Sequence, residues 1–295
     1  MESIILVFRE SESGFARMIL PRPVVRCTIL PGFCLRTRDS KQAGHGFSRW
    51  EVEVTDRIDI AAYERIVILT GAGVSAASGL DTFRGHGGLW KQFDPEACAT
   101  ATALHTDPLR VWRLISFMRR AAKTAKPNPA HQAIAALQDK LTATQSLTVV
   151  TQNIDGLHQR AGSPGVIELH GRLSHTRCMN PRCAVMPFED WDLYETEVPH
   201  CERCGAVLRP DVVLFEEMLP PDAYRACDDA VNACDLFLAV GTSCTVHPAC
   251  DFVFTAKDHG ARAILVNLEP PENAADVFDE IHLGPAEELL PALLG

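Results

Sequence analysis

The chain has 295 residues, 46 % of them hydrophobic and 22 % charged, with a formal charge of −10. That balance fits a soluble globular protein of one large or two modest domains. No apolar run reaches the roughly 18 residues that would cross a bilayer, so no membrane partner is expected. The acidic charge argues against nucleic acid, which needs a basic surface to displace its counterions; it suits basic partners such as lysine-rich protein segments.

Residues 1 to about 55 stand apart. Met1–Trp50 holds eight Lys/Arg against four Asp/Glu, a balance of +4 that leaves −14 for the remainder. It lacks a heptad, strand alternation and a cleavable signal pattern, and Glu2, Glu10 and Glu12 speak against a transit peptide. A disordered or loosely ordered extension is expected, with Met18 as a second candidate start. From Ile58 the pattern becomes regular. Apolar runs at Ile66–Leu69, Leu147–Val150, Leu236–Val240 and Ala263–Val266 read as strands, and Pro108–Lys123, Pro129–Asp139, Pro221–Ala233 and Ala286–Leu294 read as helices. This alternation predicts the α/β class, with a parallel sheet covered on both faces.

The first strand runs into Gly71-Ala72-Gly73-Val74-Ser75-Ala76-Ala77-Ser78-Gly79. This is either a tight turn or a phosphate cradle, in which Gly71 and Gly73 admit a pyrophosphate to the N-terminus of a following helix. An acidic residue closing the second strand, as an ordinary dehydrogenase requires, is missing. The second strand ends in Thr151-Gln152-Asn153-Ile154-Asp155. Polar residues there either satisfy a turn or face a ligand crevice at the carboxyl end of the sheet. Val240-Gly241-Thr242-Ser243 and Asn267-Leu268-Glu269 end two later strands in the same way. Ile167-Glu168-Leu169-His170-Gly171 delivers an imidazole, the natural general base near neutral pH, to a turn.

Eleven cysteines, an odd number in a long chain, do not form a small disulfide framework and point to a reducing, cytoplasmic setting. Seven are scattered. The other four, Cys178 and Cys183 and then, after seventeen intervening residues, Cys201 and Cys204, have the spacing of a tetrathiolate zinc site. Four thiolates complete the tetrahedron, so this zinc is structural.

Taken together, Gly71-Ala72-Gly73-x-Ser75-x-x-Ser78-Gly79, Phe83-Arg84, Gln152-Asn153-Ile154-Asp155, His170-Gly171, the four cysteines, Gly241-Thr242-Ser243 and Asn267-x-Glu269 resemble the sirtuin family from about Ile58 to the C-terminus. The resemblance implies a Rossmann-like domain over 56–174 and 210–295, with a helical insertion at about 85–125, and a zinc-ribbon module over 175–209. It further implies a monomeric, NAD-consuming protein lysine deacylase that yields nicotinamide, free lysine and O-acyl-ADP-ribose. By the same resemblance Gly71, Ala72, Gly73, Ser75, Phe83 and Arg84 form the cofactor loop. Gln152, Asn153 and Asp155 hold the nicotinamide ribose side, while Gly241, Thr242, Ser243, Asn267, Glu269 and Ala286 serve the adenosine side. His170 and Asn153 are catalytic, and Val212, Val213, Leu214 and Phe215 line the acyl-lysine peptide.

Two departures bear on substrate choice. Thr82 before Phe83-Arg84 resembles the branch that includes desuccinylases, yet the Tyr-x-x-Arg pair that reads a charged acyl group is replaced by Ile115 and Met118. Both either line an apolar acyl pocket or pack in the core, and Arg119 or Arg120 could substitute only if the register shifted. Glu216 stands where the family normally has Gly, and keeps open ADP-ribosyl transfer or plain NAD cleavage on the same site. A non-catalytic NAD-sensing module is the remaining class, which His170 and Asn153 together disfavour.

Overall fold

The computed structural model describes residues 7–10, 16–19, 57–83, 88–271 and 274–295. The chain divides into two compact units, Met1–Thr55 and Asp56–Gly295. In the first, β1 (Val7–Glu10) pairs antiparallel with β2 (Ala16–Ile19), placing Val7 opposite Ile19. This strand pair was not expected; the remainder of the expected loose extension lies outside the described residues.

The second unit begins with β3 (Arg65–Thr70) and a 3-10 segment at Ala72–Ser78. A helical stretch follows: α1 (Pro95–Cys98), α2 (Ala101–Thr106), α3 (Pro108–Thr124) and α4 (Pro129–Lys140). Then come β4 (Ser146–Thr151), α5 (Leu157–Arg160), β5 (Ile167–Glu168), β6 (Gly171–Cys178), β7 (Phe188–Glu189) and β8 (Leu208–Val212). The chain closes with α6 (Pro221–Ala233), β9 (Leu236–Val240), α7 (Phe252–Asp258), β10 (Arg262–Asn267), α8 (Ala274–Val277), β11 (Glu280–Leu283) and α9 (Ala286–Leu293).

The large sheet is parallel, in the order β11-β10-β9-β3-β4-β5. The chain winds outward from β3 to β5, then returns to the other side of β3 to place β9. The direction of winding thus reverses between β3 and β9, the position where doubly wound sheets open a ligand crevice at their carboxyl ends. The central strands are covered on both faces and so are apolar without alternation: every residue of β9 is buried, as are Ile66–Leu69 of β3. One face packs Val67, Leu69, Phe237 and Leu265 against Cys227 and Val231 of α6 and Phe252 and Val253 of α7.

A second, antiparallel sheet, β7-β6-β8, reaches from Gly171 to Val212 and contains the cysteine segment. It starts directly after His170. Gly171 has φ +79°, and a Cβ there would stand 2.2 Å from the Asp211 carbonyl, so only glycine lets β8 approach this junction. Helix α3 packs against β6 and β8 of this module. Its Arg119 side chain is wholly buried, pairs with Asp190 at 3.2 Å, and donates to the Leu173 carbonyl at 3.0 Å and Thr176 Oγ1 at 2.9 Å. Trp112 lies beneath the guanidinium and donates its Nε1–H to the Leu208 carbonyl.

Candidate active site

The turns after β3 and β9 touch. Gly71 N–H donates to the Val240 carbonyl at 2.9 Å and Gly73 N–H to the Gly241 carbonyl at 2.8 Å. A Cβ on Gly73 would meet Gly241 Cα at 2.7 Å, and one on Gly71 would meet the Gly241 carbonyl at 2.8 Å. The glycines therefore admit the neighbouring turn. With Val74 N–H on the Gly71 carbonyl, three amides of this loop are already satisfied, and the expected helix is of the 3-10 kind, Ala72–Ser78.

The turn after β4 adds a buried polar cluster. Asn153 Nδ2 donates to the Gly71 carbonyl at 3.0 Å and to Ser75 Oγ at 3.2 Å, and Ser75 Oγ donates to Asp155 Oδ2 at 2.7 Å. Asp155 Oδ1 also accepts Leu157 N–H at 2.8 Å, so the carboxylate both caps α5 and faces Ser75. Burial pushes the Asp155 carboxyl upward, against the lowering effect of these hydrogen bonds. His131 stands behind Ser75. Its Nδ1 accepts Asn128 N–H, which places the ring proton on Nε2, 3.5 Å from Ser75 Oγ. His158, its ring centroid 4.9 Å from that of His131, meets Thr70 Oγ1 at 2.9 Å, and Thr70 Oγ1 donates to Thr151 Oγ1. The sequence reading missed both histidines. The spacing Asn128-x-x-His131 before an apolar run was an available signal, because the pair forms a capping box at the start of α4.

His170 lies where the chain first passes from the large sheet to the small one, after β5 and before β6. Its Nδ1 lies 2.9 Å from the Gln152 carbonyl, which can only accept, so Nδ1 carries the proton and Nε2 holds the basic lone pair. Burial lowers its pKa from the ordinary value of 6.5, with the Gln152 hydrogen bond opposing the shift. The ring is thus a neutral base at physiological pH. Its own carbonyl accepts Val213 N–H at 2.9 Å.

A pocket beside this cluster gathers Ala72, Ser75, Phe83, Asn153, Asp155 and Met118. Phe117, Ala121, Ala122 and Leu173 extend its apolar wall, and none of these four was anticipated. Ile115 is not in that lining; it is buried in the core formed with Leu104, Trp112 and Leu173. Neither alternative arginine is available to read an acyl carboxylate, since Arg119 is buried with Asp190 and Arg120 pairs with Glu195. Val212 and Leu214 are buried, Val213 is half-buried and Phe215 is exposed beside Trp90, their ring centroids 6.1 Å apart. Glu216 does not project across this edge: its carboxylate accepts from Thr102 N and Oγ1.

Toward the expected adenosine side, Thr242 is buried, with Oγ1 accepting from Gln152 Nε2 at 3.1 Å and its carbonyl accepting from Asn267 Nδ2 at 2.9 Å. Three strand ends are thereby laced together. Ser243 and Glu269 are exposed, and Ala286 is buried in the first turn of α9. Arg84 lies outside the described residues.

The four cysteines converge. Their sulfurs lie within 4.8 Å of one another, with Cys178 to Cys204 at 3.5 Å and Cys183 to Cys201 at 3.7 Å. These separations are far beyond a disulfide. They match the edge of about 3.8 Å that a tetrahedron has when zinc–sulfur bonds are about 2.3 Å. The set fits a tetrathiolate metal with no coordination position left for water.

Comparison with known proteins agrees with this geometry. The model of the Sir2 family matches residues 71–248. An NAD-dependent protein deacylase of Ralstonia nicotianae is 48 % identical over 240 residues, covering 80 % of this chain and 93 % of its own. NAD-dependent protein deacylase 2 of Pyrobaculum aerophilum is 44 % identical, covering 80 % and 92 %. Among solved structures, a Sir2 homologue in complex with NAD superposes with a TM-score of 0.73 at 38 % identity, covering 80 % of this chain and 90 % of that one. Four laced strand ends, a neutral imidazole at the junction of two sheets and a tetrathiolate module thus coincide with a match over most of the second unit: the chain belongs to the Sir2 family.

Proposed function

We propose that this protein is an NAD-dependent protein lysine deacylase acting on acetyl-lysine or on lysine carrying a longer apolar acyl group. The observation that carries the reading is His170, whose Nδ1–H is fixed on the Gln152 carbonyl so that Nε2 is the basic nitrogen. NAD, when bound, supplies the ribose carbon that takes the acyl oxygen as nicotinamide leaves. His170 Nε2 then removes a proton from a ribose hydroxyl, a role typically worth about 10²–10⁴-fold in rate. Asn153 and Asp155, joined through Ser75, orient the nicotinamide ribose, and Gln152 continues that wall to Thr242. Phe83, with Arg84 next to it in the sequence, belongs to the cofactor loop, which keeps water from the reacting end. Thr242, Asn267, Gly241, Ser243, Glu269 and Ala286 serve the adenosine end.

Val212–Phe215 carry the peptide, with Met118 and the apolar wall Phe117, Ala121 and Ala122 receiving the acyl chain. The engagement of Arg119 and Arg120 elsewhere supports the apolar preference. Zinc on Cys178, Cys183, Cys201 and Cys204 holds the small module in shape, and a reducing, cytoplasmic setting keeps those thiols available. Glu216 had been the reason to keep ADP-ribosyl transfer open as the main activity; its contact with Thr102 removes that reason.

The test is incubation with NAD and matched acetyl-, myristoyl- and succinyl-lysine peptides, with mass spectrometry following free peptide and acyl-ADP-ribose. Acetyl or myristoyl release that exceeds succinyl release, and that falls at least about 100-fold in His170→Ala, is expected. Nicotinamide release without deacylation would overturn the reading.

A further inference from the structure

The bend after β8 contains a residue in an unfavourable backbone state. Glu216 has φ +72°, in the left-handed region. There a side chain crowds the neighbouring carbonyl, and an ordinary residue is disfavoured about tenfold. Its side chain accounts for its being held there. Oε2 accepts Thr102 N–H at 3.0 Å and Thr102 Oγ1–H at 2.8 Å, bridging the bend to the start of α2. Backbone bonds reinforce the bridge: Phe215 N–H donates to the Ala99 carbonyl and Ala101 N–H to the Phe215 carbonyl, both at 2.9 Å.

The next residue pulls in the opposite direction. Glu217 pairs with Arg209 of β8 and accepts Leu214 N–H at 2.9 Å. Two consecutive carboxylates therefore stretch the segment Leu214–Glu217 between α2 and β8. That segment continues from Val213, whose N–H rests on the carbonyl of His170. It also carries Phe215, whose ring neighbours Trp90, itself 5.2 Å from Phe83.

We propose that Glu216 is a positioning residue for the acyl-lysine substrate: by clamping Thr102 it preforms the Val212–Phe215 edge along which the peptide lies. The proposal rests on the deacylase reading above. Glu216 does not act on the reacting atoms; it spares the peptide the cost of ordering that edge, so it sets peptide affinity and leaves the cofactor site alone.

Steady-state kinetics with NAD and an acetyl-lysine peptide on the full chain separate this role from a merely structural one. Glu216→Gly removes the carboxylate while accepting φ +72° without strain, and should melt at or above the wild-type temperature. Its peptide KM should nevertheless rise about fivefold, the size of effect expected from losing one or two net hydrogen bonds, with kcat and the KM for NAD unchanged. Glu216→Gln retains an acceptor oxygen for Thr102 and should stay within about twofold of wild type. An unchanged peptide KM in Glu216→Gly overturns the proposal, as does an equal rise in the KM for NAD. A wild-type protein that deacylates no peptide overturns the deacylase reading and this proposal with it; one that does, beside an unaffected Glu216→Gly, overturns the proposal alone.

Discussion

His158 is buried against His131 with its Nε2 on Thr70, and its Nδ1 has no partner among the described residues. Loss of hydration, with mutual repulsion for His158, lowers the two imidazoles from 6.5 to about 3 for His158 and about 4 for His131. In the unfolded chain both take up protons near pH 6.5; in the folded chain neither does until the pH is far lower. Their contribution to stability is therefore complete above about pH 6.5 and is lost as the pH falls toward 4 and then 3, on the order of 3 kcal/mol for each. Thermal melts from pH 7.5 to pH 4 should show this fall, and His158→Gln should flatten it; parallel curves for the two proteins would refute the account. The capping spacing Asn128-x-x-His131 was legible in the sequence, but what each of these rings faces was not, for a physical reason. A histidine within a helix has the same local appearance whether it faces water or a buried serine, and only the approach of α4 to the turn after β3 distinguishes the two. His170 was legible because an apolar run ending in glycine delivered it to a strand terminus, where the side-chain direction follows from the backbone.

Among the elements, the four sequence-predicted strands lie within β3, β4, β9 and β10, and the helix starts at Pro108, Pro129, Pro221 and Ala286 agree with α3, α4, α6 and α9. Proline at the first turn explains three of these starts, since its missing N–H has no intrahelical partner there. The edge strand β11 was missed, because Glu280-Ile281-His282-Leu283 lacks the continuous apolar run of the buried strands. The contact of the turn after β3 with Gly241 was equally out of reach, since glycine spacing alone does not show which backbone approaches. The cysteine module was the most legible element, since its ligand spacing is independent of packing. It is also the element with the least core of its own, so its order depends on the metal. Complete chelation should cost about 5 kcal/mol and lower the melting temperature by about 10–20 °C, with deacylation lost because β6 begins next to His170. Zinc release followed by a thiolate-sensitive dye, beside melting curves of the same samples, checks this; full release with an unchanged melt would sink it.

Over the whole molecule, the second unit is closed by its own ends. Ile58 N–H donates to the Leu293 carbonyl at 3.0 Å, and Arg57 reaches the Gly295 carbonyl at 2.9 Å. A chain of residues 56–295 should accordingly melt within about 2 °C of the full protein and should keep its KM for NAD; a large loss of stability would show that residues 1–55 support the fold. No described helix is long and apolar enough to cross a membrane. The position of His170 has a final consequence at this scale. Its ring is tied to the end of β4 through Gln152, its carbonyl to the bend after β8 through Val213, and its own chain runs from β5 two residues before it to β6 directly after it. The base is surveyed from three directions, like a point fixed by triangulation. No single support has to be strong for its location to be accurate, and a drift of either sheet is registered as an error in the aim of one nitrogen.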